Sequence, residues 1–566
     1  MNDVSIIQSR ILLCLATLLP FWNLFGAPEV LVSIPDSELP VKLWGYVRFW
    51  DWSIFWGGQM DHVGFPQTGM LNNPDIVATF LVGMFRPIVG LIWSFNLLLI
   101  SVMGANIVGG YFLCRQFGCI RWSAVVGAII FGWQPLLVSY GFSSVITDLI
   151  HLWPYAFGLG FIQRGLQEEN FEDGRWAGVS LALGFITCPY NFVLFIPIIP
   201  ILLIWMWTQN RSLMWPLVMR LALFGSVLVT LYAFRIGYVM RGGSSLVDSD
   251  MVDSVRHSYP FDGLRAEKET RFTAFLAEMF GVLPRPVVVM EQVARFYRHF
   301  QWGTSVVIVG LWGLLRVPQY RLFFFSGILI GLGASIGPFA IVSPMLELKD
   351  PWNLMYLYAY YLPLGKMILE PFRYALVAGT FLALVVGLGV QRLGRFGWMV
   401  GLFLIGETFW RSPTLPFPIR TIPWDERMET LPISRTGGVV HLPFFVPKSN
   451  RFDRTHFIYQ LQHDRPISDP IMGFPSPYMI ENSFLCTLIH TETVAFPLQF
   501  FPCGRVSIPK SILQLATDNV AAVVIDPAKY ASEDWSAVQR ILSSDLPLNR
   551  TEYQGLIILE PTDVEQ

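Results

Sequence analysis

Charge is what this sequence has least of. Asp, Glu, Lys and Arg make up only 14% of its 566 residues while 53% are hydrophobic, against roughly 25% charged in an average soluble domain. An ordinary water-soluble fold is excluded. The few charges nearly cancel, to a net −2, so the chain lacks the basic excess that neutralises a phosphate backbone, and no nucleic-acid partner is expected. There is no Walker A sequence, Rossmann fingerprint or local Ser/His/Asp arrangement, which leaves ATP- or nicotinamide-driven chemistry without a residue basis. Cysteine is sparse too: six in all, with no C-x-x-C and no Cys/His cluster at metal-ligand spacing. Cys14, Cys114, Cys119 and Cys188 read as small apolar packing residues. Cys486 and Cys503 share one segment and can pair in an oxidising compartment, although sequence does not give their separation.

What the chain has instead is long apolar runs. Spanning a bilayer takes roughly 20 such residues per helix, fewer for a segment buried among neighbours. Candidate spans are Ile11 to Ala27, Val89 to Leu113, Ser123 to Tyr140, Ile146 to Ile162, Ala177 to Thr187, Asn191 to Trp207, Leu221 to Met240, Trp302 to Leu315, Leu322 to Ile341, Tyr374 to Val390 and Gly397 to Trp410. The first follows Arg10 as a signal peptide would, but Pro28 makes Phe25-Gly26-Ala27 a poor cleavage context, so it reads as an uncleaved span. Cys188-Pro189 breaks the helical ladder, leaving either one kinked helix or two short ones. The expectation is an α-helical polytopic membrane protein of about eleven transmembrane helices.

Arg115 and Arg121, Arg164 and Arg175, Arg211 and Arg220, Arg316 and Arg321, and Arg392 and Arg395 fall in alternate loops, which assigns those loops and the N-terminus to the cytoplasm. The transmembrane domain is then 1–411, with external loops 28–88, 241–300 and 343–372. The first of these is rich in acids, and long external loops are often functional. In it, Leu43, Val47, Trp50 and Ile54 recur at helical spacing, as in an amphipathic helix laid on the membrane surface or packed on the helical bundle. From Ser412 to Gln566 the long apolar runs stop. Strand-like Gly438 to Phe445 and Val520 to Ile525, a turn at Asp526-Pro527 and a helical Ala531 to Leu542 predict a soluble C-terminal α/β or α+β domain, exported with an odd number of spans.

Ionisable groups near membrane depth are costly and point to function when they face a protein interior or a wet cavity. Asp36 and Glu38, in Pro35-Asp36-Ser37-Glu38, stand where the chain leaves the first span. A carboxylate there can act as a general base or hold a divalent cation, or else cap the helix that follows. Asp148 and His151 are three residues apart on one helical face, suited to binding substrate or to satisfying each other. Arg373, after Glu370-Pro371-Phe372, offers a planar fork for a phosphate group or snorkels to lipid headgroups, and Lys366 adds a second positive charge. In the tail, His463-Asp464-Arg465-Pro466 concentrates polar side chains without a second cluster beside it, and reads as a structural loop.

Taken in order, Asp36, the helix after it, Phe65-Pro66-Gln67-Thr68-Gly69, Asn73-Pro74, Trp153-Pro154, Phe372-Arg373-Tyr374, Val440-His441-Leu442-Pro443 and Gln462-His463-Asp464-Arg465-Pro466 resemble the landmarks of the GT-C class of polytopic glycosyltransferases, in particular the bacterial branch with a C-terminal exported domain. The resemblance covers most of the chain through short motifs. It implies transfer of a sugar, hexosyl or pentosyl, from a polyprenyl-phosphate donor to a glycan, lipid or protein acceptor at the external face of a bacterial inner membrane. The donor's lipid tail would enter between helices. It further implies Asp36 as the base, Arg373 opposite the departing lipid phosphate, and Asp148 or His151 positioning a substrate. Two departures from the pattern stand out: the single acid is here Asp36-Ser37-Glu38, which leaves the role open to Glu38, and Ala375 follows Tyr374 where relatives often have Pro. A lipid or glycan transporter or flippase, and a non-catalytic envelope scaffold, are the competing readings; no paired broken segments in two corresponding halves support the first.

Overall fold

The computed structural model describes residues 4–27, 29–33, 37–51, 75–240, 302–335, 354–362, 365, 371–412, 414–446, 453–467, 477–492 and 503–562. They belong to two compact units, one drawn from 1–37, 75–238 and 245–421, the other from 38–74, 239–244 and 422–566.

The first unit is helical. Helix α1, Ile6–Leu18, starts from a reciprocal capping box between Ser5 and Gln8 and runs through a 3₁₀ turn to Gly26. Strand β1, Val30–Val32, follows, and after it come α2 (Leu39–Asp51, part of the second unit), α3 (Ile76–Gln116) and α4 (Arg121–Gly132). Helix α3 is two helices run together. Past Pro87, Gly90 takes φ 78°, a left-handed conformation that glycine adopts at no steric cost, and the chain changes direction there. A π-helical turn, Leu137–Phe142, leads to α5 (Thr147–Ile150), α6 (Trp153–Gln167) and α7 (Asp173–Thr187). Cys188 is extended and Pro189 opens a new helix, so the interruption makes two elements rather than one kink: α8 (Pro189–Phe195) continues through a 3₁₀ turn into α9 (Ile199–Gln209). Then come α10 (Arg211–Met240), α11 (Thr304–Arg316), α12 (Pro318–Ser335), α13 (Leu354–Tyr361), α14 (Ala375–Arg392), α15 (Gly397–Arg411) and strand β2 (Ile419–Thr421).

A helix occupies each of the segments expected to span. Five helical stretches among the described residues are long and apolar enough to cross a membrane, namely Ile6–Gly26, Ile76–Gln116, Tyr190–Gln209, Arg211–Thr230 and Ala375–Arg392. Large apolar side chains such as Ile88, Leu322 and Trp410 stand well exposed on the protein surface. Lipid, not water, suits them. The polypeptide is an integral membrane protein.

The second unit centres on a mixed four-stranded sheet. Strands β3 (Gly438–Leu442), β4 (Val520–Ile525), β5 (Leu548–Tyr553) and β6 (Leu556–Pro561) lie in the order β3-β4-β6-β5, with β3 and β4 parallel and the other pairs antiparallel. Both β4 and β6 are buried along their whole length, which fits their continuous apolar runs. Alternate residues feed two cores: Val440, Leu442, Val523 and Ile525 on one face, Val439, Ala522, Val524 and Ile558 on the other. Helices α16 (His456–His463), α17 (Pro477–Glu481), α18 (Ser483–His490), α19 (Ile508–Thr517) and α20 (Ser532–Leu542) complete the unit. Cys486 on α18 is disulfide-bonded to Cys503.

Helix α2 corrects the reading of the first external loop. Its Leu43 and Val47 are covered by protein rather than left as a surface for lipid, and on the adjoining face Val41 and Trp44 join the core that contains Val440 and Phe457.

Helices α11 and α14 approach most closely where Gly313 meets Gly389; a Cβ on Gly313 would overlap the carbonyl oxygen of Val385. Small residues at such crossings let backbones pack without a hydrophobic drive between helices. Gly313→Val is expected to lower the unfolding midpoint of the detergent-solubilised protein by several degrees, the effect of about 1–3 kcal/mol of overpacking. An unchanged thermal melt would show that the crossing tolerates a larger gap.

Candidate functional site

The polar residues of the helical unit gather where its helices are broken. Between α5 and α6 the backbone leaves helical geometry at His151, and a buried amide supplies the missing hydrogen bonds: the Oδ1 of Asn106 accepts from Leu152 N and Trp153 N at 3.1 and 2.8 Å, and its Nδ2 donates to Ile150 O at 2.7 Å. Asn191, on α8, donates from Nδ2 to the carbonyls of Leu149 and His151 at 3.3 and 3.4 Å. The segment 147–153 is a strap held by two asparagines.

His151 is wholly buried and engaged at both ring nitrogens. Its Nε2 lies 2.7 Å from Oδ2 of Asp75, and its Nδ1 accepts from Trp153 Nε1 at 3.3 Å. Since Nδ1 accepts, the proton of the neutral ring sits on Nε2 and is donated to the carboxylate. Asp75 also caps α3, its Oδ1 accepting from Ala78 N at 3.0 Å. One residue before Asn191, the ring of Tyr190 carries the guanidinium of Arg373, 5.6 Å from the ring centroid. Arg373 therefore stands next along a chain of contacts from the strap that contains Asp148 and His151.

Each residue singled out in the sequence has a definite standing. The partner of His151 is Asp75, a residue counted there only among the loop acids. The side chain of Asp148 lies outside the described residues, as do Asp36 and Lys366. Glu38 is one-third exposed between two cations, 3.6 Å from Lys42 Nζ and 3.7 Å from Arg454 Nη2. Ser33 N donates to Pro418 O at 3.0 Å beyond the β1–β2 pairing, and the hydroxyls of Ser33 and Ser37 meet at 2.5 Å. Asn96 fastens the same strand, accepting from Val32 N and donating to Val30 O. Asn96, Asn106 and Asn191 were missed as a group; amides inside apolar spans are the signal that would have found them.

Beside the disulfide, His490 Nδ1 lies 3.8 Å from Cys503 Sγ, and Cys486, His490 and Cys503 together have metal-ligand spacing. The disulfide uses both thiols, so the trio offers one imidazole and no thiolate.

The tail motif is a junction. Gln462 exchanges two hydrogen bonds with the backbone of Asp425, His463 Nε2 meets His441 Nε2 at 3.0 Å, Asp464 pairs with Arg48, Arg465 donates to the carbonyls of Ile433 and Arg435, and Pro466 O accepts from Val439 N. Because Arg465 N donates to His463 Nδ1, the His463 proton sits on Nε2 and is given to His441. Burial, with His463, His456 and Lys529 near it, pushes His441 well below the usual imidazole range. Burial, with Arg465 and Arg48, pushes His463 down to about 3. Burial also raises Glu492, to about 8, although its oxygens accept from Phe444 N and Phe445 N.

No family model matches the sequence, and no curated protein matches it. Among solved structures, two cryo-EM structures of the arabinofuranosyltransferase AftD from Mycobacteria, both of the R1389S mutant, match the whole chain at 12% identity, with TM-scores of 0.62 and 0.54. This chain spans 42% of the AftD chain. The oligosaccharyltransferase of Archaeoglobus fulgidus matches with a TM-score of 0.42 and 12% identity over 97% of this chain and 73% of that one, a likeness too low to argue from. AftD is a GT-C membrane glycosyltransferase, and the GT-C fold expected from the sequence motifs is the fold observed.

The histidine pair and Glu492 set opposite limits on the pH stability of the sheet-bearing unit. Below about pH 6.5 the unfolded chain takes up two imidazole protons that the folded unit refuses, so stability falls with acid. Between about 4.5 and 8 the folded unit keeps a Glu492 proton that the unfolded chain loses, so stability falls as pH rises through that window. Two protons outweigh one on the acid side. Hydrogen-exchange protection of β3 and α16 in the full-length protein, corrected for the pH dependence of intrinsic exchange, should be greatest near about pH 6.5, and His463→Gln should flatten the acid limb. Protection that rises steadily from pH 5 to 8 would contradict this balance.

Proposed function

We propose that this protein transfers a sugar from a polyprenyl-phosphate-linked donor to an acceptor at the external face of the membrane. A fold alone does not carry an activity. The observation that supports this one is the approach of Arg373, through Tyr190 and Asn191, to the strap that bears Asp148 and His151. A guanidinium at the head of a membrane helix, close to a polar strap, suits a lipid phosphate on one side and a sugar on the other.

In this reading Asp36 is the general base that takes the proton of the acceptor hydroxyl, and Arg373 offsets charge on the departing lipid phosphate, with Lys366 adding a second positive charge. His151 does not work through a free nitrogen, because Asp75 and Trp153 occupy both; it fixes the strap from which Asp148 positions donor or acceptor. Glu38, already set between Lys42 and Arg454, is the weaker candidate for the base. A divalent cation would sit with Asp36. Among the described residues none completes its donor set, so no step is assigned to it. A few carbons of the donor's hydrocarbon tail would take the apolar cavity of about 160 Å³ bordered by Trp302 and by Gly310, Leu314, Leu332, Ala378 and Leu382 of α11, α12 and α14.

The remaining assignments follow the same reading. Residues 1–411 are the transferase domain and 412–566 an exported domain, with the N-terminus cytoplasmic, the C-terminal domain periplasmic or extracellular, and a bacterial inner membrane as the site. The sugar is a hexosyl or pentosyl unit and the acceptor a glycan, lipid or protein.

Purified protein in liposomes, supplied with a panel of polyprenyl-phosphate sugars, should turn over at least one donor. Asp36→Asn should reduce kcat by about 10²- to 10⁴-fold, and Arg373→Ala by about 10²-fold, with folding intact. No turnover with any donor, alongside movement of a lipid or glycan across the bilayer, would replace the transferase by a transporter. Partner binding that survives loss of Asp36, Glu38 and Arg373, without turnover, would leave a scaffold.

A further inference from the structure

Helix α18 carries Cys486 and, one turn later, His490, four residues apart and so on one face of the helix. Cys503 reaches that face from a separate stretch of chain. Its Cα is 5.5 Å from that of Cys486, and its Sγ stands 3.8 Å from His490 Nδ1. One ligand atom from each of the three residues lies within 4.8 Å of the other two. Cys486 is buried, Cys503 half-buried and His490 exposed, so the trio opens to solvent on the imidazole side.

The disulfide is not alone in holding Cys503 there. The next residue, Gly504, donates from N to Ile480 O at 3.1 Å and accepts at its carbonyl from Ser483 Oγ at 2.6 Å. It lies so close to the backbone that a Cβ would overlap the carbonyl oxygen of Glu481. Farther on, Ser511 of α19 accepts at its carbonyl from Asn482 Nδ2 at 2.8 Å and at its hydroxyl from Phe484 N at 3.0 Å, which ties α19 to the start of α18. Phe484, Leu485, Leu488 and Ile489 fix the other face of α18 in the core of the unit. With the S–S bond open, these contacts keep both cysteines and the histidine together.

We propose that Cys486, His490 and Cys503 are a zinc site in the reduced protein, so that one trio alternates between a disulfide and a metal centre of two thiolates and an imidazole. Reduction breaks the S–S bond with two electrons and two protons from a dithiol, whose thiolate attacks the more accessible sulfur, that of Cys503, and which leaves as its own disulfide. Zinc then displaces the two thiol protons and binds both sulfurs and His490 Nδ1. Tetrahedral zinc, with Zn–S of about 2.3 Å and Zn–N of about 2.0 Å, holds a sulfur and a nitrogen about 3.6 Å apart. Cys503 Sγ and His490 Nδ1 are already near that spacing. The two sulfurs must part to about 3.8 Å, which rotation about their Cα–Cβ bonds allows once the bond is open. Thiolate and imidazole ligands select zinc over calcium or magnesium. Among the described residues no fourth side chain joins the trio, which leaves one position to water.

The test uses the full-length protein in detergent, oxidised or else reduced with a dithiol and then freed of it under anaerobic conditions. Each form is titrated with Zn²⁺ against a chromophoric chelator and, separately, with Co²⁺. Reduced wild type should take up one equivalent of zinc more than the oxidised form. Cys14, Cys114, Cys119 and Cys188 are free in both forms, so the difference belongs to the trio. Co²⁺ should likewise show stronger thiolate-to-metal charge-transfer absorption in the reduced form. His490→Ala should weaken the extra site by at least about 10-fold while its oxidised form melts as wild type does, and Cys503→Ser should abolish the extra equivalent. Equal uptake by the two forms, or an extra equivalent that His490→Ala binds as tightly as wild type, would overturn the site. Hydrogen-exchange protection of α18 that is lost on reduction and not restored by zinc would overturn it too, because the trio would then not stay assembled.

Discussion

Away from water, a backbone group that leaves a helix has to find its hydrogen bond in the protein, and this constraint organises the membrane unit. Where the chain breaks at His151, Asn106 takes up two amides and one carbonyl, and Asn191 reaches two more carbonyls. Where it emerges as β1, Asn96 bonds to the strand on both its carboxamide atoms. Leaving such groups unpaired would cost about 1–3 kcal/mol each, so the amides are structural before they are anything else. Their consequence is a strap of irregular backbone with fixed geometry, the kind of element on which polar side chains can be presented within a hydrophobic bundle.

The same economy of side chains appears in the soluble unit, where five consecutive residues, Gln462 to Pro466, each bond a residue elsewhere in the unit. Arg48 and Trp44 bring the first-loop helix into that junction through Gln460. A stretch that reads in the sequence as a structural loop is spent on holding other segments in place. Leu43 and Val47 of α2 likewise turn out to be buried, while Trp50 stands exposed, because a helical period reports that one face is apolar and does not report what covers it.

The helices were legible because length and apolarity are local properties: each expected segment carries a helix, and the break at Cys188-Pro189 lies where proline denies the ladder a donor. Strands β3 and β4 and helix α20 were legible for a similar reason, a short apolar run or an amphipathic period bounded by turn residues. The pairing of His151 was not legible. Asp148, three residues away, was the natural candidate, whereas the observed partner is Asp75, 76 residues distant in the chain. The tie between Cys486 and Cys503 also needed coordinates, since spacing in sequence says nothing of the 5.5 Å between their Cα atoms.

The amino-acid sequence by itself determined that this is a membrane protein of many helices with a differently composed tail, because the transfer of apolar residues out of water is additive along the chain and needs no knowledge of partners. Which polar residue meets which was decided only by the tertiary structure. Asp75 meets His151, Arg373 rests on Tyr190, and Arg48 forks onto Gln460 and Asp464 because hydrogen bonds and ion pairs act over a few ångströms between residues that folding alone brings together.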